Sequence, residues 1–531
     1  MVPPVSWLRG RRAGSEDGIA MITVILVGTI MLALVVTTLS YGLSSQRVAR
    51  RDQDWNAALS AAEAGIDDYV TRLNNDATYT QWSNNPNRPD TTNPAMNGTF
   101  VEIPGADNDG RFRYTIDTSK FSVDGTIALT ATGRVRNVER DVRATLRRRT
   151  FLDYLYFTEY ETKDPEAYGS GDRLTPGAAA TMCNRHYYEG RDDDCTEIQF
   201  GSNDVIRGPL HSNDAIRIQG GAEFQGAVTT TWTGAFGRRY IPTGGGSPTF
   251  ARAGDPAYAE EIKMPPTNTA LKADATSGGC LFTGPTKVVV NSDATMTVTS
   301  PLTRSTRCWS GAMGATPRTM PLPANGVLHV QSVPNTPSDP NYPTTQGTRT
   351  CPGGTNRHVL GMPIANDDTD YVCRDGDLFI EGTLDGQMTA SADNNIIITW
   401  DLVYEDGLTG DDLLGLVANN SVLIYHPVDG DNNLDVVRPG TDQPFYNAKV
   451  DAAILTLNNS FTVQNYRDGN QLGTLTVRGS IAQLYRGPVA LGGVSGYEKD
   501  YIYDQRLAYM APPRFIDPVK SFWRIISWEE R

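Results

Sequence analysis

From Ile19 to Tyr41 the chain carries no charged residue: IAMITVILVGTIMLALVVTTLSY. At ~1.5 Å of rise per residue such a run spans roughly 34 Å as a helix, enough to cross the hydrocarbon core of a bilayer. It exceeds the ~7–15-residue apolar core of a secretory signal peptide. No small-residue cleavage site with a shift to mature-domain composition follows it. The helical pattern continues instead. No proline occurs between Ile19 and Leu73, and Val48, Trp55, Leu59, Ala62, Ile66, Tyr69 and Leu73 step by threes, fours and one seven. That spacing lays an apolar stripe along a polar helix. The pattern predicts one helix over 19–73, roughly 80 Å long, stopped by Asn74, Asn75 and Asp76. An oily first half and an amphipathic second half suit a filament subunit: the first half packs against copies of itself and the second carries a head. An uncleaved signal anchor with a helical stalk is the alternative. Arg9, Arg11 and Arg12 precede the run and Arg47, Arg50 and Arg51 follow it, so the distribution of basic residues does not orient it.

The residues around that run resemble a known family. The basic leader (Arg9, Arg11, Arg12) ends in EDG, directly before the apolar run, and is similar to a type IV prepilin leader. The later AALSAAEAGIDDYVTRL, residues 57–73, resembles the AAEA stretch of PilX-type minor pilins. The resemblance covers residues 16–73 and implies a leader, 1–18, cut by prepilin peptidase after Gly18. Ile19 would then be the N-methylated first residue, and the oily segment would be kept. It also implies the partners: other pilins, the pilus assembly platform, prepilin peptidase, and the membrane itself through residues 19–41. One position departs from the family. Major pilins carry Glu at the fifth position after the cut, where it pairs with a neighbour's N-terminal amine; here that position is Thr23. A carboxylate in lipid is costly and is kept only for such pairing. Thr23 therefore points to a subunit with no neighbour beyond it, at a tip or initiator position.

Beyond the helix the pattern becomes β. Residues 74–150 read as a small pilin-like region, with TFVEI, RFRYTID, TIALTATGRV and VERDVRATLRR as antiparallel strands. The basic RATLRRRT, residues 143–150, reads as an edge strand with solvated arginines. The aromatic segment 151–198 reads as a linker or docking segment. Residues 199–531 read as a β-rich head. Gly-x-aliphatic units recur at Gly208, Gly226, Gly382 and Gly479, and NNIIIT and NNSVLIYH repeat an Asn-Asn step into a strand. Turns at such short intervals suggest stacked parallel rungs, a β-solenoid, with a β-sandwich as the alternative. Long loops are expected at 231–280 and 301–357, which are rich in Thr, Pro, Gly and Ser. The expected class is α+β.

The formal net charge of −14 leaves no basic stripe to neutralise phosphates, so nucleic acid is excluded as a partner. Cys183, Cys195, Cys280, Cys308, Cys351 and Cys373 form no CxxC pair. An even count downstream of a membrane segment suggests disulfides on the outer face. Sequential pairing would close short loops, but the sequence does not choose among the fifteen pairings that six cysteines allow, and unpaired thiols remain the other reading. His186, His211, His329, His358 and His426 are scattered and read as surface or turn residues. Asp429, Asp431, Asn433 and Asp435 stand at alternate positions, the spacing of a Ca²⁺ loop. However, Leu434 replaces the required Gly and Gly440 the twelfth-position Glu, so calcium is a weak candidate and no other cofactor is expected. The acidic turns 106–110 and 366–370 read as Asx turns.

No GxSxG, HExxH, SxxK or Walker loop occurs. The sequence thus points to a non-enzymatic, single-pass membrane protein with an extracytoplasmic head, a minor-pilin-like subunit that primes or caps a filament. A tethered or tip adhesin is the alternative, and an anchored β-helix enzyme cleaving polysaccharides is the enzymatic rival.

Overall fold

A computed structural model of the chain describes residues 17–76, 79, 93–96, 98–105, 110–121, 125–235, 237–343, 362–363, 365, 372–428, 446–519 and 522–531. It falls into two compact units, one comprising Met1–Arg147 with Trp523–Arg531 and the other Arg148–Phe522.

In the first unit one uninterrupted helix, α1 (Asp17–Asn75), packs its second half on an antiparallel sheet. The strands are β1 (Val101–Glu102), β2 (Arg111–Asp117), β3 (Thr126–Val135) and β4 (Val138–Arg148), in that order. Burial alternates with period two, as a sheet with one covered face requires. Phe112, Tyr114, Ile116, Ile127, Leu129, Ala131, Val142, Ala144 and Leu146 form the core with Ala62, Ile66, Tyr69 and Leu73 of the helix. Val48 and Trp55, on the same apolar stripe, remain exposed.

The physical use of the AAEAG stretch is visible here. Ala58, Ala61, Ala62 and Gly65 form the helix face turned to the sheet. A Cβ on Gly133 of β3 would lie 2.1 Å from the Ala58 carbonyl oxygen and 2.2 Å from the Ala62 nitrogen. Backbone touches backbone at this crossing, which only small residues permit.

A fifth strand completes the sheet. Trp523–Glu530, at the end of the chain, pairs beside β4. Trp523 packs on Phe121 next to the start of β3, and its N–H donates to Asn74 Oδ1 at 2.7 Å. Arg531 N–H reaches the Asp141 carbonyl, further back along β4, so the terminal strand runs antiparallel to β4. Two expectations are corrected. The head does not extend to residue 531, and β4 is not the edge of the sheet, because eight C-terminal residues return to cover it.

The second unit is built from parallel ladders. In one, strands 280–283, 327–331, 387–392, 413–418, 449–456, 471–486, 156–163, 210–212, 228–230 and 257–258 follow each other in parallel register. A second runs 286–290, 378–384, 396–404, 422–424, 461–463. A third joins 471–486, 495–503, 205–207, 223–224 and 249–250. Strands such as Leu413–Ala418 are buried along their whole length, the habit of parallel sheets. The Asn-Asn steps are corners between rungs. Leu378, Ile396 and Val422 donate backbone N–H to Asn395, Ser421 and Ser460. Within these corners Asn394 Nδ2 reaches Asp377 Oδ1 at 2.8 Å and Ser421 N reaches Asn395 Oδ1 at 3.0 Å. Gly226 sits where a Cβ would lie 2.2 Å from the Gly208 carbonyl group, so the recurrent glycines mark close approach between rungs.

The order of the rungs is not the order of the chain. The chain enters mid-ladder at Tyr156–Lys163 and climbs one way to 257–258. It crosses through the helix Thr269–Ser277 to the far end at Cys280–Thr283 and returns rung by rung to 471–486. The strand 471–486 then pairs with the entering strand, Ile481 opposite Tyr156. This seam holds Arg486 and Glu161, both 1% exposed and joined at 2.8 Å, with Arg486 also lying 3.8 Å from the Phe200 ring centroid. Because first and last rungs are neighbours, the unit's two ends meet: Arg149 N–H donates to the Phe522 carbonyl at 2.8 Å. The whole unit is thus inserted between β4 and the terminal strand, themselves neighbours in the first sheet.

Two further expectations change. Residues 151–198 are no linker, since Tyr156–Lys163 is a central rung whose charged side chains are paired internally. The stretches 231–280 and 301–357 are not loops throughout. They contain the rungs 241–243, 249–250 and 257–258, the helix Thr269–Ser277, and the strands 314–321 and 327–331. Disulfides join Cys183 to Cys195, with Cα atoms 5.7 Å apart, and Cys280 to Cys308 at 5.4 Å. Cys373 is disulfide-bonded, and Cys351 lies outside the described residues.

Candidate functional site

Two places in the molecule are built to meet something else. The first is the front half of α1. Every side chain from Ala20 to Arg51 is exposed, including Met21, Ile22, Ile25, Leu26, Leu32 and Leu39. The helix is long and apolar enough to cross a membrane. Three of its threonine hydroxyls bond back to the helix: Thr29 donates to Leu26 O at 2.8 Å, Thr37 to Ala33 O at 2.9 Å and Thr38 to Leu34 O at 2.8 Å. That arrangement suits a medium without water, where an unmet donor is costly. Thr23 lies on this exposed stretch; Gly18 and Ile19 lie in the helix, with side chains outside the described residues.

The second place is a cleft of about 500 Å³ in the second unit. Its floor is two neighbouring rungs, contributing Leu423, Thr462 and Val463, with Leu423 opposite Thr462 in register. One wall is the segment 164–170. Asp164 caps the short 3₁₀ turn Pro165–Ala167 by accepting from Glu166 N at 2.9 Å. It also accepts from Asn459 Nδ2 at 2.8 Å and from the Ser460 hydroxyl. The other wall is the corner Gln464–Asp468. Arg467 donates to both oxygens of Asp172, at 3.1 and 2.9 Å, and to the Tyr466 hydroxyl at 2.8 Å, which ties the two walls together. Lys163 Nζ holds the same Asp172 at 2.6 Å.

The electrostatics follow from burial. Burial raises the Asp164 carboxyl above the usual range, partly offset by its hydrogen bonds from Ser460, Glu166 and Asn459. Glu166, at the rim, is raised by the protein behind it and by the charge of Asp164. Asp172 goes the other way: burial is outweighed by the Lys163 bond, the Gly169 N–H and the charges of Lys163 and Arg467. Burial and the nearby Arg467 lower Lys163. The cleft therefore offers neutral amides and hydroxyls, weakly acidic carboxyls and one phenol ring. Its single guanidinium is already committed to a carboxylate.

A smaller cleft of about 270 Å³ lies beside Tyr187, Asp192, Gln199, Arg217 and Thr243. Arg191 anchors it, buried between Asp214 and Glu197.

The histidines were misread as surface or turn residues. His186, His211, His329 and His426 are all buried, while His358 lies outside the described residues. His211 bonds Thr229 at 2.9 Å and Asn213 at 3.0 Å, and burial pushes it down to about 4. His329 sits between Ser391 at 2.8 Å and Asp393 at 2.9 Å. Burial would lower His186, but the bond to Glu159 and the charges of Asp214, Glu159 and Glu189 raise it. Parallel stacking makes such ladders, because equivalent side chains on successive rungs face one another, a periodicity that isolated histidines in a sequence do not display.

Among the described residues no group of three His, Cys, Asp or Glu could hold a metal ion. The calcium candidates Asp429, Asp431, Asn433 and Asp435 lie outside them, as do residues 366–370 and 106–109. The sequence did not single out Asp164, Glu166 or Arg467. Three distant segments build their cleft: 422–424 stacks on 461–463, and Asp164 is bonded to Asn459 and Ser460, which brings the segment 164–170 against them.

No protein-family model matches the chain, and no curated protein does. Among solved structures it is similar to the competence-associated pilin ComZ from Thermus thermophilus, with 14% identity, 90% of this chain and 97% of that chain covered, and a TM-score of 0.27. A likeness at that level supports neither a fold nor a function, so the reading below rests on the chain's own features.

Proposed function

We propose that this chain is a minor-pilin-type subunit, stored in the membrane through residues 19–41 and carried into a type IV pilus-like filament. The observation that carries the reading is the division of α1. One continuous 59-residue helix leaves the uncharged run from Ala20 to Tyr41 exposed and packs its second half on a small antiparallel sheet. A plain anchor needs no such rigid continuity across the membrane boundary, whereas a subunit that moves from lipid into a filament keeps the same helix in both settings. The EDG leader and the AAEA stretch point the same way.

The parallel ladders of Arg148–Phe522 are read as a β-solenoid head, displayed rather than catalytic. Such a bulky insertion in every subunit would crowd a filament, and Thr23 lacks the carboxylate for pairing onward, so the position proposed is at the tip, where the subunit primes or caps assembly. Quantitative mass spectrometry of sheared, purified filaments tests this. The expected result is enrichment with the filaments at a small fixed number of copies each, independent of filament length. Absence from filaments, or abundance that scales with length, contradicts it.

A further inference from the structure

We propose that the cleft between residues 164–170 and 464–468 is a binding site for a neutral saccharide. This deepens the reading of the inserted unit as a displayed head, and rests on it, by naming what the head meets.

The lining decides the ligand class by elimination. An anion is disfavoured, because Asp164, Glu166 and Asp468 line the cleft and its one guanidinium, Arg467, is bound to Asp172 through two hydrogen bonds. A bare cation is disfavoured as well. Among the described residues no three His, Cys, Asp or Glu side chains come together to hold an ion, and Asp164 already accepts from Glu166 N, Asn459 and Ser460. An apolar ligand would meet Leu423, Val463, Ala167 and the Tyr466 ring, but would also press against the carboxyls of Asp164, Glu166 and Asp468 and the hydroxyls of Ser170 and Thr462. What remains is a ligand that is uncharged, hydroxyl-rich and apolar on its C–H faces. The Ser170 hydroxyl supplies a donor and an acceptor, Thr462, whose hydroxyl donates to the Pro488 carbonyl at 2.6 Å, presents its oxygen as an acceptor, and the Tyr466 ring with Leu423 supplies apolar surface. A volume of about 500 Å³ falls within the range of small-molecule sites. The walls are held before any ligand arrives, by the Arg467–Asp172 tie and by the Asp164 bonds to the corner 459–460. Little side-chain freedom is therefore lost on binding.

The test uses the full chain in detergent micelles and calorimetric titration with three neutral hexasaccharides: maltohexaose, cellohexaose and hexa-N-acetylchitohexaose. Hexagalacturonate serves as the anionic control. At least one neutral hexasaccharide is expected to bind, and more tightly than hexagalacturonate. Ser170 is exposed at the rim, so Ser170→Trp obstructs the mouth without touching the core. It is expected to weaken binding by about tenfold or more, about 1.4 kcal/mol, with an unchanged melting temperature. Thr462→Arg, which fills the floor and gives up the bond to the Pro488 carbonyl, is expected to weaken binding as well, with its melting temperature read alongside. If no neutral hexasaccharide binds, if hexagalacturonate binds as well or better, or if both variants bind like the parent, the proposal is overturned. Because this titration needs no filament, its failure leaves the filament reading standing. Failure of the filament count likewise leaves the titration intact.

Discussion

At Gly133 the joint between helix and sheet depends on atoms that are absent. One methyl group there would collide with the backbone of α1 at Ala58 and Ala62. The sequence displayed the small-residue stretch 57–65 as a likeness to a family; its physical reason appears only when the sheet is seen against it. Asp377 is a second residue whose state depends on place. It lies at a corner of the inserted unit, fully buried, with Oδ1 accepting from Asn394 and Asn395 and Oδ2 without a partner among the described residues. Burial, helped by the nearby charge of Asp375, pushes it up to about 7. The folded state therefore keeps a proton that the unfolded state releases above about pH 4, so this residue's contribution falls as pH rises from about 4 to about 7 and is level above that. His211, lowered to about 4, acts with the opposite sign between pH 4 and 6.5, so the parent's pH profile alone does not isolate either group. Asp377→Asn separates them. The variant's stability relative to the parent is expected to rise by on the order of 4 kcal/mol between pH 4 and pH 7, read from melting temperatures at matched pH. A constant difference across that range would show that Asp377 is ionised in the fold.

Among the elements, α1 was the most legible. Its uncharged run, its lack of proline and its stop at Asn74–Asp76 are local signals, and the helix observed, Asp17–Asn75, differs from the one expected by two residues at each end. The strands β2 to β4 were legible for the same reason, each alternating over seven residues or more. The terminal strand Trp523–Glu530 was not, because its partner lies at the far end of the sequence and no local pattern records that. Its importance to the first unit is testable. Trp523 is only 5% exposed, within the core of that sheet. Loss of such a residue costs about 3–5 kcal/mol. Deleting Trp523–Arg531 is therefore expected to strip hydrogen-exchange protection from amides of β4 while the rungs 413–418 and 453–456 keep theirs. Unchanged protection in β4, or equal loss in those rungs, would contradict the division of the chain into these two units.

Over the whole molecule, the sequence showed that the β region repeats but not how it is wound. The recurrent Gly-x-aliphatic and Asn-Asn units lie in strands of the parallel ladders and at the corners before them. Spatial order departs from chain order: the chain enters mid-ladder, runs outward, crosses to the opposite end and returns. That path brings the unit's ends together at Arg149 and Phe522, as insertion between two neighbouring strands demands. The larger cleft was illegible because its floor, 422–424 on 461–463, is walled by the segment 164–170 from the other end of the unit's sequence.

The central claim is that the oily front of α1 is kept and works as part of a pilin-type subunit. The most direct measurement is the mature N-terminus, by mass spectrometry, from cells with and without prepilin peptidase. The account requires a chain beginning at N-methylated Ile19 when the peptidase is present and retaining residues 1–18 when it is absent. A chain that keeps residues 1–18 in both strains would make the helix a plain anchor and the inserted unit a tethered surface domain.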